Sequence, residues 1–139
     1  MNWIYWSLLS ALFAGATAVL AKAGVANVDS NLATAIRTSV ILVFSWMLAW
    51  VTAPSAALRH VTSRGWIFLI LSGLATGLSW LCYFRALHLG EASRVAPVDK
   101  LSVVFVILFS ALFLGEGLTV ARGAGGLLIM LGAIILAVE

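Results

Sequence analysis

Asp99 and Lys100 stand side by side inside a long apolar run, and Lys22, Arg37 and Arg85 each lie near the end of another. An ionised side chain in the hydrocarbon of a bilayer costs several kcal/mol unless it is paired, hydrated or long enough to reach the interface, so such charges mark either sites or structural knots. If the run around Asp99 begins near Ala92, Asp99 and Lys100 lie about seven or eight residues in, which at 1.5 Å per residue is ~10 Å below the start. Successive helical positions diverge by about 100°, so the two are not expected to face the same neighbour. Asp99 is expected to pair with Arg37, Lys22 or Arg85, which sit toward the same end of their own runs. Two readings stay open: a substrate or proton site in a cavity among the first four helices, or an ion-pair knot that holds helices together. Lys22 and Arg85 are also long enough to snorkel, and His88 reads as a solvated interfacial residue.

The run from Trp66 to Leu87 adds a sided pattern. Ser72, Thr76, Ser79 and Tyr83 follow i, i+4, i+7, i+11 and make a polar stripe, beside a second stripe of Gly73, Gly77, Trp80 and Phe84. Gly73-x-x-x-Gly77 permits close helix approach and is read, with Ser72, as packing. Trp80 and Tyr83 offer flat surfaces for an organic solute and are read as cavity lining. In the first run Ser7, Ser10, Ala14, Thr17 and Ala21 repeat the small-polar stripe, and in the last Gly126, Ala133 and Ala137 form a smooth face suited to a helix partner, in the same chain or across a dimer.

The elements that must position these residues are transmembrane helices. The chain of 139 residues is 63% hydrophobic and 9% charged, more apolar than a soluble core of this size can use. A spanning helix needs ~20 mostly apolar residues, and five such stretches are predicted, at Trp3 to Ala23, Leu32 to Ala53, Trp66 to Leu87, Ala92 to Leu114 and Val120 to Val138. The fold class is therefore all-α integral membrane, one domain with short connections and no extramembrane body. Asp29, Ser30 and Asn31 are placed to cap the second helix. Pro54 and Ser55 close it, and Arg59, His60, Ser63 and Arg64 form a wet loop. Trp3, Trp6, Trp50 and Trp66 fall where an aromatic belt belongs. Pro97 marks either a bend beside Asp99 or, if the helix starts at Val95 or Ala96, an ordinary first-turn proline.

Several classes drop out. Ala21-Lys22-Ala23 has the form of a signal cleavage site, but Met1 to Trp6 carries no Lys or Arg and four more spans follow, so the first helix is read as retained. Cys82 is the one cysteine, which leaves no intramolecular disulfide and no metal cluster, and it reads as a small core residue. The net charge of +3 has no basic run with interleaved aromatics, so nucleic acid is not an expected partner. No nucleophile and base, metal set or phosphate loop can be assembled, so neither an enzyme nor a cofactor is expected.

An odd number of spans puts the termini on opposite sides. The amino-terminal face then receives Arg59, Arg64 and Arg122, and the other receives Lys22, Arg37, Arg85, Arg94 and Lys100, several of them inside the spans. So weak a bias fits a fixed orientation with the amino-terminal face in the cytoplasm, and it fits insertion both ways with pairing to an inverted copy.

The run YFRALHLGEASRVAPVDKLSVVFVILFSALFLGEGLT, from Tyr83 to Thr119, and the glycine-rich last helix ending GAIIL carry a resemblance. Ala86-Leu87, Gly90 with Ala92-Ser93, Ala96-Pro97-Val98 and Leu114-Gly115-Glu116 are similar to the EamA domain of the drug/metabolite transporter superfamily, over the whole chain. The resemblance implies one five-helix half-transporter, multi-pass in a bacterial inner membrane. Relatives of that kind usually carry two such domains as inverted repeats around a central cavity. A lone half implies a homodimer, its second copy inverted, as in the similar small multidrug resistance transporters. By position Glu116 resembles a cap or loop anchor. The first helix lacks the glutamate that resembles the drug exporters' proton site, so if protons are coupled here, Asp99 is the candidate.

The expected function is secondary transport or export of a small organic metabolite or drug-like solute. A scaffold or assembly subunit, using the glycine faces for packing and the charges as knots, is the alternative; an aqueous channel is disfavoured by large aromatics and leucines that would occlude it.

Overall fold

The computed structural model describes residues 2–54 and 57–138, with the side chain of Arg59 left aside. Ser55 and the Arg59 side chain, both placed in the second connection by the sequence, lie outside the described residues. Helix α1 runs Trp3–Val25, α2 Ser30–Thr52, α3 Ser63–Leu89, α4 Ala92–Asp99, α5 Ser102–Phe113 and α6 Val120–Val138, with a single 3-10 turn at Ala57–His60 between α2 and α3. Five segments are long and apolar enough to cross a membrane, α4 and α5 counting together as Ala92–Phe113. Helices are what the composition demands, since only a backbone bonded within its own segment tolerates lipid on all sides.

Exposure along these helices is what a membrane-embedded chain needs. Trp50 is 88% exposed, Leu112 75% and Val120 91%. In water so continuous an apolar surface would drive aggregation; facing acyl chains it is matched to its solvent. Trp3, Trp6 and Trp66 are exposed too, as belt residues must be. The protein is an integral, multi-pass membrane protein.

Several hydroxyls within the spans are satisfied by their own helices. Thr34 donates to the Ser30 carbonyl at 2.8 Å, Thr38 to Thr34 at 2.7 Å and Thr76 to Ser72 at 2.9 Å. Such back-bonding lets a polar residue sit in lipid without an unpaired donor. Asp29 caps α2 as its position predicts, accepting from the Asn31 and Leu32 amides at 2.9 and 3.1 Å. α3 begins earlier than the hydrophobic run suggests. Thr62 accepts from the Gly65 amide at 3.1 Å, so Ser63 and Arg64, read from sequence as loop, form the first turn of the helix.

The fourth span is the largest departure from a continuous helix. Pro97 lies well inside α4, so the first-turn explanation fails and the bend explanation holds. α4 ends at Asp99, and the chain passes through Lys100 and Leu101 on tight bonds, Lys100 N–H to the Pro97 carbonyl at 3.1 Å and Leu101 N–H to Val98 at 3.0 Å, before α5 starts. Spacing of three in place of four winds the backbone more tightly, and a proline that removes one ladder donor is a common place for such an interruption.

The chain falls into two compact units. One takes in the chain to Ala23 and from Leu89 onward, and the other is Gly24–His88. In the first, α6 packs against α4 and α5. Gly126 and Ala133 are buried there, and a Cβ on Gly126 would meet the Ile107 Cδ1 at 3.3 Å. Those two residues of the smooth α6 face, offered from sequence to a partner within the chain or across a dimer, are thus taken up within the unit. Gly73 and Gly77 on α3 show the reverse: among the described residues nothing lies within 4 Å of a Cβ at either position, so they pack against no neighbour within this chain.

Candidate functional site

In the unit Gly24–His88, α2 and α3 bring Arg37 onto the aromatic side of α3. The Arg37 guanidinium lies 4.4 Å from the centroid of the Trp80 ring and 5.5 Å from that of Phe84. Both distances are within the ~6 Å over which a ring's negative face attracts a cation. The rings come from positions i and i+4 of α3 and so share a face. Phe84 is buried, Trp80 and Arg37 are half-buried, and Tyr83 sits edge-on to Phe84 with centroids 6.5 Å apart. Arg37 is the eighth residue of α2, which at 1.5 Å per residue puts it ~10 Å from the helix start. Three of the seven residues singled out from sequence, Arg37, Trp80 and Tyr83, are therefore gathered here with Phe84, through stacking and with no carboxylate in the cluster. Arg85 is exposed on the same helix.

Asp99, Lys100 and Lys22 sit in the other unit, made of the chain to Ala23 and from Leu89 onward. Asp99 is paired with Lys100, Oδ2 to Nζ at 3.3 Å. The expectation that adjacent residues must diverge rested on an unbroken helix; the end of α4 at Asp99 lifts that constraint. Lys22 donates to the Gly90 carbonyl at 2.7 Å, tying the last turn of α1 to the start of the α4 segment. Arg94, counted from sequence only among the charges of one face, donates through Nη2 to the Ala137 carbonyl at 2.7 Å. A cation bonded to a last-turn carbonyl of α6 satisfies a group the helix leaves open and complements its dipole. Glu116 is the loop anchor its position suggested: it lies 3.5 Å from Arg122, whose Nη1 also holds the Gly117 carbonyl at 2.7 Å. Gly115 turns that loop with φ of +68°, where a side chain would be strained, and the following amide bonds back to the Ser110 carbonyl at 3.2 Å.

Two further features limit the chemistry. Cys82 is exposed on α3, so it is no core residue within this chain. A cleft of about 590 Å³ opens where α2 ends, lined by Trp46, Ala49, Trp50, Ala53, Pro54, Ala57 and Leu58. Among the described residues that line it, only the indole N–H groups are polar side-chain groups, whereas binding sites combine apolar walls with a few placed polar groups. The Arg37 cluster has both. Among the described residues no three of His, Cys, Asp and Glu are grouped to hold a metal.

The chain matches the EamA-like transporter family over residues 1–138. It is 53% identical over 137 residues to a protein of Sinorhizobium sp named as an uncharacterized transporter in cobO 3'region, a match covering 99% of this chain and 97% of that one. It is 32% identical over 114 residues to the uncharacterized transporter YvbV of Bacillus subtilis, covering 82% of this chain and 37% of that longer protein. No solved structure matches it. With five apolar spans, a helical fold throughout the described residues and a match of this extent, the chain belongs to the EamA-like transporter family.

Proposed function

We propose that this protein is a secondary transporter that exports a small organic solute across a bacterial inner membrane, working as a dimer of five-helix halves by alternating access. The observation that carries the proposal is the Arg37 cluster, a cation seated on aromatic rings inside a span of a transporter-family member. Such a group is costly in lipid, and one held about a third of the way along a span is placed to line the cavity of a transporter built from paired repeats. The Bacillus relative is supportive: the match spans 37% of it, as one half of a longer transporter would. A second copy, inverted, would supply the other wall of the cavity, and the open Gly73 and Gly77 positions leave a face of α3 for a close neighbour. Asp99 is the candidate for proton coupling.

The test is a comparison of solute pools in cells overproducing the protein and cells overproducing Arg37→Gln, with membrane levels matched by immunoblot. At least one small organic solute is expected to be enriched in the medium and depleted inside only for the unaltered protein. Indistinguishable pools in the two strains would reject export and favour the assembly-subunit alternative.

A further inference from the structure

We infer that Arg37 is the receptor for the head group of a carboxylate-bearing organic solute, with Trp80 and Phe84 holding the guanidinium in place; this rests on the transporter reading and names its substrate class. Two ring centroids within 6 Å hold the guanidinium without a carboxylate, and its N–H donors form the fork that fits a carboxylate with two parallel bonds. Acidic partners for those donors are scarce in the unit that holds it. Gly24–His88 contains one acidic residue, Asp29, whose carboxylate oxygen is engaged by two backbone amides at the start of α2. The same stretch carries Arg59, Arg64 and Arg85 besides Arg37, so its charge is strongly positive. A half-buried cation held over aromatic rings, in a unit whose one carboxylate is engaged at a helix cap, is a site completed by an anion from outside. Arginine suits the role where lysine would not, because its weak hydration and flat shape allow it to stack and bind at once. The aromatic floor favours a solute with an apolar body over a bare inorganic anion.

Phospholipid head groups present a similar anionic oxygen, and the experiment separates the two. The protein is purified in a maltoside detergent and its thermal unfolding followed with benzoate, hexanoate or indole-3-acetate, and with benzamide as the uncharged counterpart of benzoate. At least one carboxylate is expected to raise the unfolding midpoint saturably, as a ligand of the folded state must. Benzamide is expected to have no effect. Arg37→Gln should abolish the shift, and Arg37→Lys should weaken the affinity at least about tenfold, since lysine loses the paired geometry. Trp80→Leu keeps the guanidinium and removes its main platform, and it should weaken binding too, which keeps the test decisive if Arg37→Gln fails to fold. An equal response to benzamide, a shift undiminished in these variants, or no response to any of the three carboxylates overturns the inference. So does an Arg37-dependent shift produced by phosphatidylglycerol and by no carboxylate, which would make Arg37 a lipid anchor. Arg37-dependent carboxylate binding alongside unchanged cellular pools would sink the transporter reading and leave the receptor standing; solute export without carboxylate binding would do the opposite.

Discussion

Asp99 and Lys100 form an ion pair only partly covered within the chain, and where water reaches such a pair, as a transport cavity allows, it contributes ~0–1 kcal/mol once solvent screening and side-chain entropy are counted. Removing the carboxylate's charge should therefore cost the fold little. Asp99→Asn is expected to leave the detergent-solubilised protein helical, monodisperse and within about 1 kcal/mol of its original stability, while solute movement in proteoliposomes is lost if Asp99 carries the coupled proton. A variant that falls apart, with no separate transport defect in the part that survives, would make the pair a structural knot. Little at this scale was legible beforehand. The sequence marks which charges are expensive, since that depends on their apolar surroundings alone. It does not mark their partners: Arg37 and Trp80 are 43 positions apart, Arg94 and Ala137 likewise, and such pairings depend on how helices approach one another. Asp99 pairs with its neighbour Lys100 where α4 ends, a break that a continuous helical reading of the span does not contain.

At the scale of elements, the contact between α5 and α6 depends on the missing side chain of Gly126. A methyl there would stand 3.3 Å from the Ile107 Cδ1, the far end of a flexible chain, so Gly126→Ala asks for a shift of a few tenths of an ångström. Gly126→Ile asks for space that a buried position lacks, and overpacking of that kind costs ~1–3 kcal/mol. Thermal unfolding in detergent should show the isoleucine variant clearly destabilised and the alanine variant near the original. Gly73→Ala, in open space within the chain, should fall within ~0.5 kcal/mol. An isoleucine variant as stable as the original would mean that α5 and α6 do not pack as described. The spans themselves were legible because their length and apolarity follow from bilayer thickness, and the Asp29 cap because it is local chemistry. A small-residue face that reads as a packing surface is filled on α6, at Gly126 and Ala133, and open on α3, at Gly73 and Gly77. Spacing reports what a helix permits, and only the neighbouring elements decide whether it is used. Pro97 gave warning of the break in the fourth span, but its position after Asp99 follows from the tight bonds through Lys100 and Leu101.

For the whole molecule, the question is how a chain with so few charges chooses its orientation in the membrane. Lys and Arg in short connections set topology, and here three such residues fall toward the amino-terminal face against five toward the other, all five of the latter lying within spans along with Arg64 and Arg122, where they weigh less. A chain so nearly balanced is expected to insert both ways. An inverted second copy is then available from the same gene product, and two halves can enclose a cavity as tandem inverted repeats do. Asn27 and Ser63 are suited to test this: both are exposed, and α2 crosses the membrane between them. Single cysteines at these positions, in a Cys82→Ala background that fills no core site, would be treated in intact cells with a membrane-impermeant thiol reagent. Partial labelling of both, with the remainder reacting only after permeabilisation, is the expected result and would support an antiparallel pair. Complete labelling of one and none of the other would fix a single orientation. The second half of the cavity would then have to come from a parallel copy or a separate inverted partner, and an antiparallel pairing of identical chains would be excluded.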